Sequence, residues 1–148
     1  MAESKKNIAA IVSNPEPPNF KNTVEALEFS SLRLDRISSL FFNLNAAETN
    51  DAIQNIAQEV SPLLTAHSND VALNKSLFNR LKIVYNRLES LNLKTEQKTL
   101  LEKKFKGFVR NGANLNSNDK TRLREIDKEL SVSKLTFGEH LLAETNKF

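Results

Sequence analysis

Apolar residues recur along most of this chain at alternating three- and four-residue intervals, the period of one face of an α-helix. No stretch alternates apolar and polar residues in the manner of a half-buried strand. The pattern predicts an all-α protein with about six mostly antiparallel helices in a bundle-like arrangement. The first helix covers Ala2–Val12, with Ile8, Ile11 and Val12 on one face. Asn14-Pro15-Glu16-Pro17-Pro18-Asn19 ends it, because each proline lacks an N–H and turns its predecessor away from the α region. From Phe20 to about Asn45 the spacing predicts one long helix, with Phe20, Val24, Leu27, Leu34 and Phe41 in a stripe that also holds Ser31 and Ser38.

Thr49, Asn50 and Asp51 are candidate caps for a third helix. That helix buries Ile53, Ile56, Val60 and Leu64, and Pro62 is expected to kink it. Ser68, Asn69 and Asp70 are candidate caps for a fourth, with Leu73, Leu77, Leu81, Val84, Leu88 and Leu91 inward. The fifth opens at Thr95 and turns Leu101, Phe105 and Phe108 to the core, and Gly112 closes it. The last begins at Asn116 or Ser117, with Leu123, Ile126, Leu130, Phe137 and Leu141 as its stripe and Gly138 inside it. The expectation is one helical domain over 1–148, with a proline-rich loop at 14–19.

Composition sharpens this only slightly. A chain of 148 residues can bury about 68–70% of its unfolded surface. Three glycines and four prolines leave little to interrupt helices. The absence of cysteine removes disulfides, thiolate metal sites and thiol nucleophiles. A formal charge of +3, with both signs interspersed, is too small to call for a polyanionic partner. No apolar run approaches the ~18 residues of a membrane span. Lys5 and Lys6 are not followed by the apolar segment of a signal peptide, which leaves cytoplasm and periplasm both open.

Chemistry is sparse. The two histidines, His67 and His140, are far apart in the sequence. His140 and Glu144 lie one turn apart, but a stable zinc site needs three or four ligands. His67 falls on an apolar helix face, as a half-buried structural histidine does. There is no G-x-S-x-G and no glycine-rich phosphate loop. Glu125, Asp127 and Glu129 alternate with Lys120, Arg122, Arg124 and Lys128, the pattern of a solvated helix surface. Lys103, Lys106 and Arg110 share a face that can track phosphates, but Glu96 and Glu102 interrupt it, and nucleic acid is not the expected partner. The sequence therefore offers no catalytic residue and no metal ligand in this chain.

Two residue sets remain. Asn43, Asn45, Thr49, Asn50, Arg110 and Asn111 are candidates to face a peptide, since amides and guanidinium bond a peptide backbone without demanding a side-chain sequence. The competing reading is that Asn45, Thr49, Asn50, Asn111 and Asn116 cap and terminate helices. Phe42, Leu135, Leu142 and Phe148 stray from the main stripes and are candidates for interdomain contact or self-association.

The run NPEPPNFKNTVEALEFSSLRLDRISSLFFNLNAAETND (14–51) resembles the N-terminal region of the thimet-oligopeptidase family of zinc metallopeptidases, in its dipeptidyl carboxypeptidase branch. AQEVSPLLTAHSND (57–70) and GFVRNGANL (107–115) carry the resemblance onward, so that it spans about Ile8 to Phe148. It implies an almost wholly helical enzyme, split by a channel that admits short peptides, with these helices as part of one wall. It also implies zinc held elsewhere by H-E-x-x-H, with the motif glutamate as general base on metal-bound water. That motif is absent here. The chain alone is expected to have no peptidase activity, its partners being the remainder of the peptidase and, through it, short peptides. The rival readings are a stand-alone helical interaction module and a weak nucleic-acid-binding domain.

Overall fold

In the computed structural model, which describes residues 1–145 and 147, helices carry almost the whole chain and no strand occurs among the described residues. The elements are α1 (Ala2–Val12), a π-helical segment (Phe20–Glu25) leading into α2 (Ala26–Glu28), α3 (Leu32–Ala47), α4 (Asp51–Ala72), α5 (Lys75–Tyr85), a 3-10 turn (Leu88–Ser90), α6 (Thr95–Arg110) and α7 (Ser117–Thr145). They form two compact units. The first comprises Met1–Arg36 and Asp70–Leu115, the second Ile37–Asn69 and Asn116–Phe148.

The first unit holds a dense core. Leu77 and Leu81 of α5, Leu101 of α6 and Val24 are wholly inaccessible to solvent. Ile8 and Ile11 of α1, Leu27, Phe78, Val84, Phe108 and Ala113 complete the same cluster. Phe78 stacks on Phe105 and Phe108 with ring centroids 5.7 and 6.1 Å apart, and Tyr85 stacks on Phe105 at 3.9 Å. These rings lie on facing sides of α5 and α6, where the three-and-four spacing puts them. Arg80 of α5 ties down the proline-rich segment, donating from Nη1 to the Asn14 carbonyl (2.9 Å) and from Nη2 to that of Glu16 (3.2 Å).

Helix ends follow side-chain chemistry. Asn19 and Asn22 cap reciprocally: Asn22 N–H donates to Asn19 Oδ1 (2.8 Å) and Asn19 N–H to Asn22 Oδ1 (2.9 Å). The α6 terminus is a Schellman motif. Ala113 N–H reaches the Phe108 carbonyl at 3.0 Å and Gly112 N–H that of Val109 at 3.2 Å, with Gly112 at φ 85°.

Several boundaries differ from the sequence expectation. The single helix expected over Phe20 to Asn45 is broken at Phe29–Ser31. There Ser30 folds onto the chain, its Oγ (2.7 Å) and its N–H (3.2 Å) both donating to the Leu27 carbonyl. A serine side chain that bonds its own backbone competes with the helical ladder in this way. The expected cap at Ser68–Asp70 is instead the interior of α4, which continues to Ala72 through Pro62. Asn74 starts α5, accepting the Leu77 N–H at 2.9 Å. Helix α5 stops at Tyr85 rather than running to Leu91, and Ser90 Oγ closes the following turn on the Arg87 carbonyl at 2.8 Å.

The second unit is built differently. Helices α3 and α7 contain no buried residue, and α4 buries only Ala57, His67 and Asn69. Ile126, Leu130, Phe137 and Leu141, expected as the core stripe of the last helix, are exposed, while Leu123, Val132, Leu135 and Leu142 are half-buried. Ile56 of α4 is likewise exposed.

Three substitutions test these assignments by chemical denaturation. Gly112→Ala places a Cβ in the left-handed region and should cost about 1–2 kcal/mol. Gly107→Ala, where an added Cβ meets no atom within 4 Å inside α6, should stabilise by about 0.4–1 kcal/mol. Leu81→Ala, in the fully buried centre of the first unit, should lose about 2–5 kcal/mol.

Candidate functional site

The α3–α4 turn and the C-terminal half of α7 enclose two adjoining depressions within the second unit. The turn exists because the α3 ladder ends on Glu48, whose N–H reaches the Leu44 carbonyl at 2.8 Å, and α4 begins at an asparagine cap. Asn50 Oδ1 accepts the Ile53 N–H at 3.0 Å. Thr49 does not cap α4; its Oγ1 donates to Asn45 Oδ1 at 3.2 Å, bracing the turn from the α3 side. Thr49, Gln54, Glu139 and Leu142 line both depressions. Asn50, Asp51 and His140 make the first one polar, and Leu135 and Leu142 give the second an apolar floor. Gln58 of α4 holds Glu139 of α7, its Nε2 lying 2.8 and 3.0 Å from the two carboxylate oxygens.

The structure therefore gathers members of both residue sets singled out in the sequence. Asn45, Thr49 and Asn50 meet Leu135 and Leu142 around these depressions. Asn43 is exposed on α3 and lines neither depression. Phe42 is half-buried and packs edge-on to Phe41, with ring centroids 5.1 Å apart. Arg110 and Asn111 belong to the first unit, at the end of α6. Asn111 is the C-cap there, and its Nδ2 donates to the Gly107 carbonyl at 2.8 Å. Phe148 lies outside the described residues. Gln54, Gln58 and Glu139 were not singled out in the sequence. The four-residue step from Gln54 to Gln58 marks one face of α4, but nothing local ties that face to Glu139.

Chemically the depressions offer amide, hydroxyl and carboxylate groups beside apolar floor, a surface that can hold an extended peptide. Among the described residues no three His, Cys, Asp or Glu side chains come together to ligate a metal. His67 is buried in α4 and His140 is exposed on α7. The zinc that the family resemblance implies therefore does not fit this chain's own side chains. On the basic face of α6, Lys106 pairs with Glu102 at 3.1 Å, and off that face Lys104 pairs with Glu28 at 2.6 Å. No helix among the described residues is long and apolar enough to cross a membrane.

No family model matches the chain. Curated relatives do. The chain is 40% identical over 143 residues to the dipeptidyl carboxypeptidase of Escherichia coli, covering 97% of this chain and 21% of that protein. It is 39% identical over 141 residues to the dipeptidyl carboxypeptidase of Salmonella typhimurium, covering 95% and 21%. A thimet-like oligopeptidase of Dictyostelium discoideum is 25% identical over 146 residues, covering 96% and 22%. The chain thus spans about a fifth of the length of the curated relatives it matches.

Two measurements follow from this geometry. Asn50→Ala should lower stability by about 1 kcal/mol through loss of the α4 cap, whereas Thr49→Ala, which removes only a bond to Asn45, should cost less; thermal melts of the two variants compare them. After dialysis against zinc and then zinc-free buffer, metal analysis should find less than a stoichiometric equivalent, and His140→Ala should leave that result unchanged.

Proposed function

Given that this chain belongs to the thimet-oligopeptidase family as an N-terminal region, matching dipeptidyl carboxypeptidases across nearly all its residues, we propose that it is a non-catalytic wall of the peptidase's substrate channel. The parent enzyme is a zinc metallopeptidase that releases dipeptides from the C-termini of short peptides. The observation that carries this reading is the 40% identity over 97% of the chain, matched to 21% of a dipeptidyl carboxypeptidase. The all-α fold agrees with it, and in this reading the chemistry resides in the other four-fifths of the polypeptide. Zinc bound there supplies a polarised water and a Lewis acid. The helices described here bind and orient peptide instead. The depression edged by Asn45, Thr49 and Gln54 offers donors and acceptors for a peptide backbone, and its apolar floor at Leu135 and Leu142 receives side chains without a charge preference.

The test is kinetic. The longer protein carrying this chain should release a C-terminal dipeptide from an N-blocked tripeptide and lose that activity to a chelator, while the 148-residue chain alone should show no turnover. Gln54→Ala in the longer protein should raise KM several-fold with kcat little changed, the signature of lost binding common to ground and transition states. Turnover by the isolated chain, or dipeptide release that persists in chelator, would overturn the assignment.

A further inference from the structure

The second unit has helices without a core to match them. Helix α3 runs for 16 residues and α7 for 29, yet neither contains a buried side chain. Their exposed apolar residues are not scattered. On α3, Ile37, Leu40 and Leu44 fall within about 60° of arc at 100° per residue. On α7, Ile126, Leu130, Phe137 and Leu141 also fall within about 60°. Exposure reaches 58% at Ile37, 65% at Leu40, 70% at Phe137 and 58% at Leu141. On α4, Ile56 and Leu63 share one line and are 48% and 54% exposed. An amphipathic helix in a water-soluble body turns such a stripe inward, because apolar area is stabilised by removal from water. Contiguous apolar stripes left outside mark a contact surface.

Length identifies what covers them. The matched dipeptidyl carboxypeptidases align with this chain over only 21% of their own sequence, so about four times as much polypeptide lies outside the aligned region. We propose that the Ile37–Leu40–Leu44 stripe of α3 and the Ile126–Leu130–Phe137–Leu141 stripe of α7 are the docking surface for apolar helices of that remaining polypeptide, which complete the core of the second unit. This rests on the chain being part of a longer peptidase and names the residues that join it to the rest. Phe42, Leu135 and Leu142 are half-buried within the chain and sit outside this surface.

Amide hydrogen exchange compares the 148-residue chain with the longer protein that carries it. Exchange in 37–44 and 126–141 should slow by about tenfold or more in the longer protein, while α5 and α6, already buried, change little. Ile37→Ser and Phe137→Ser should leave the melting temperature of the 148-residue chain unchanged and lower that of the longer protein. Equal exchange in both proteins, or equal melting of the variants in both, overturns the proposal. So does a dimer of the 148-residue chain that Phe137→Ser dissociates while the longer protein shows no added protection, because the occupant is then a second copy. Protection gained in a longer protein that hydrolyses no peptide upholds the docking surface and sinks the peptidase reading. Dipeptide release without gained protection does the reverse.

Discussion

Everything ordered in the first unit depends on removing the inner faces of α5 and α6 from water. Leu77, Leu81 and Leu101 have no accessible surface, and each such side chain contributes about 1.5–3 kcal/mol of burial. The rings of Phe78, Phe105, Phe108 and Tyr85 add aromatic contact on the same seam. The π-helical segment and α1 are too short to persist alone, since isolated helices under about 12–15 residues are marginal in water. They are held because Val24, Leu27, Ile8 and Ile11 close the remaining side of that seam. The polar contacts around it act as locators rather than as the main source of stability. Ser4 Oγ lies 2.6 Å from Ser31 Oγ, and Asn7 Nδ2 donates to the Ser30 carbonyl at 3.1 Å, fixing where the chain turns after α2. The Lys104–Glu28 pair is partly exposed, so solvent screening leaves it about 0–1 kcal/mol at most.

The contrast with the second unit follows from the same physics. Length does not make a helix stable; a partner for its apolar stripe does. Helix α7 is the longest element of the chain, but its ends are held by polar bonds at the surface, and the Gln58–Glu139 link to α4 is exposed. One group of helices is sealed and another leaves apolar area open toward solvent, and the curated relatives that the chain matches are about five times the length of the matched region.

How much of this was legible in the sequence depended on which link decided each feature. The first helix, the start of the segment at Phe20, the α6 face and the role of Gly112 are local outcomes of capping, proline chemistry and helical period, and they appear where the residues place them. The break at Phe29–Ser31 was hidden because Phe20, Val24, Leu27, Leu34 and Phe41 stay in phase across it; only the backbone bond made by Ser30 interrupts the ladder. The cap misplaced at Ser68–Asp70 arose from the same ambiguity, since three polar residues in a row read as a helix start although α4 carries them as interior positions. Periodicity also finds a stripe without telling what it faces. Leu130 and Phe137 were assigned to the core because they are in phase, and they are exposed because no helix among the described residues packs over them. In the candidate site, Asn45 and Thr49 were visible as turn residues, while Gln58 and Glu139 meet across 81 positions, which no local pattern records.

Four of the helix starts share one more property. Asn19, Asn50, Asn74 and Asn116 each accept a backbone N–H through the side-chain amide oxygen, at 2.8, 3.0, 2.9 and 3.0 Å. Aspartate in those places would add about 0.3–1 kcal/mol of attraction to the positive end of the helix dipole at neutral pH, and would surrender it on protonation. A carboxamide neither gains nor surrenders anything as acidity changes. The side-chain oxygens that cap these four starts consequently remain hydrogen-bond acceptors in acid as in base.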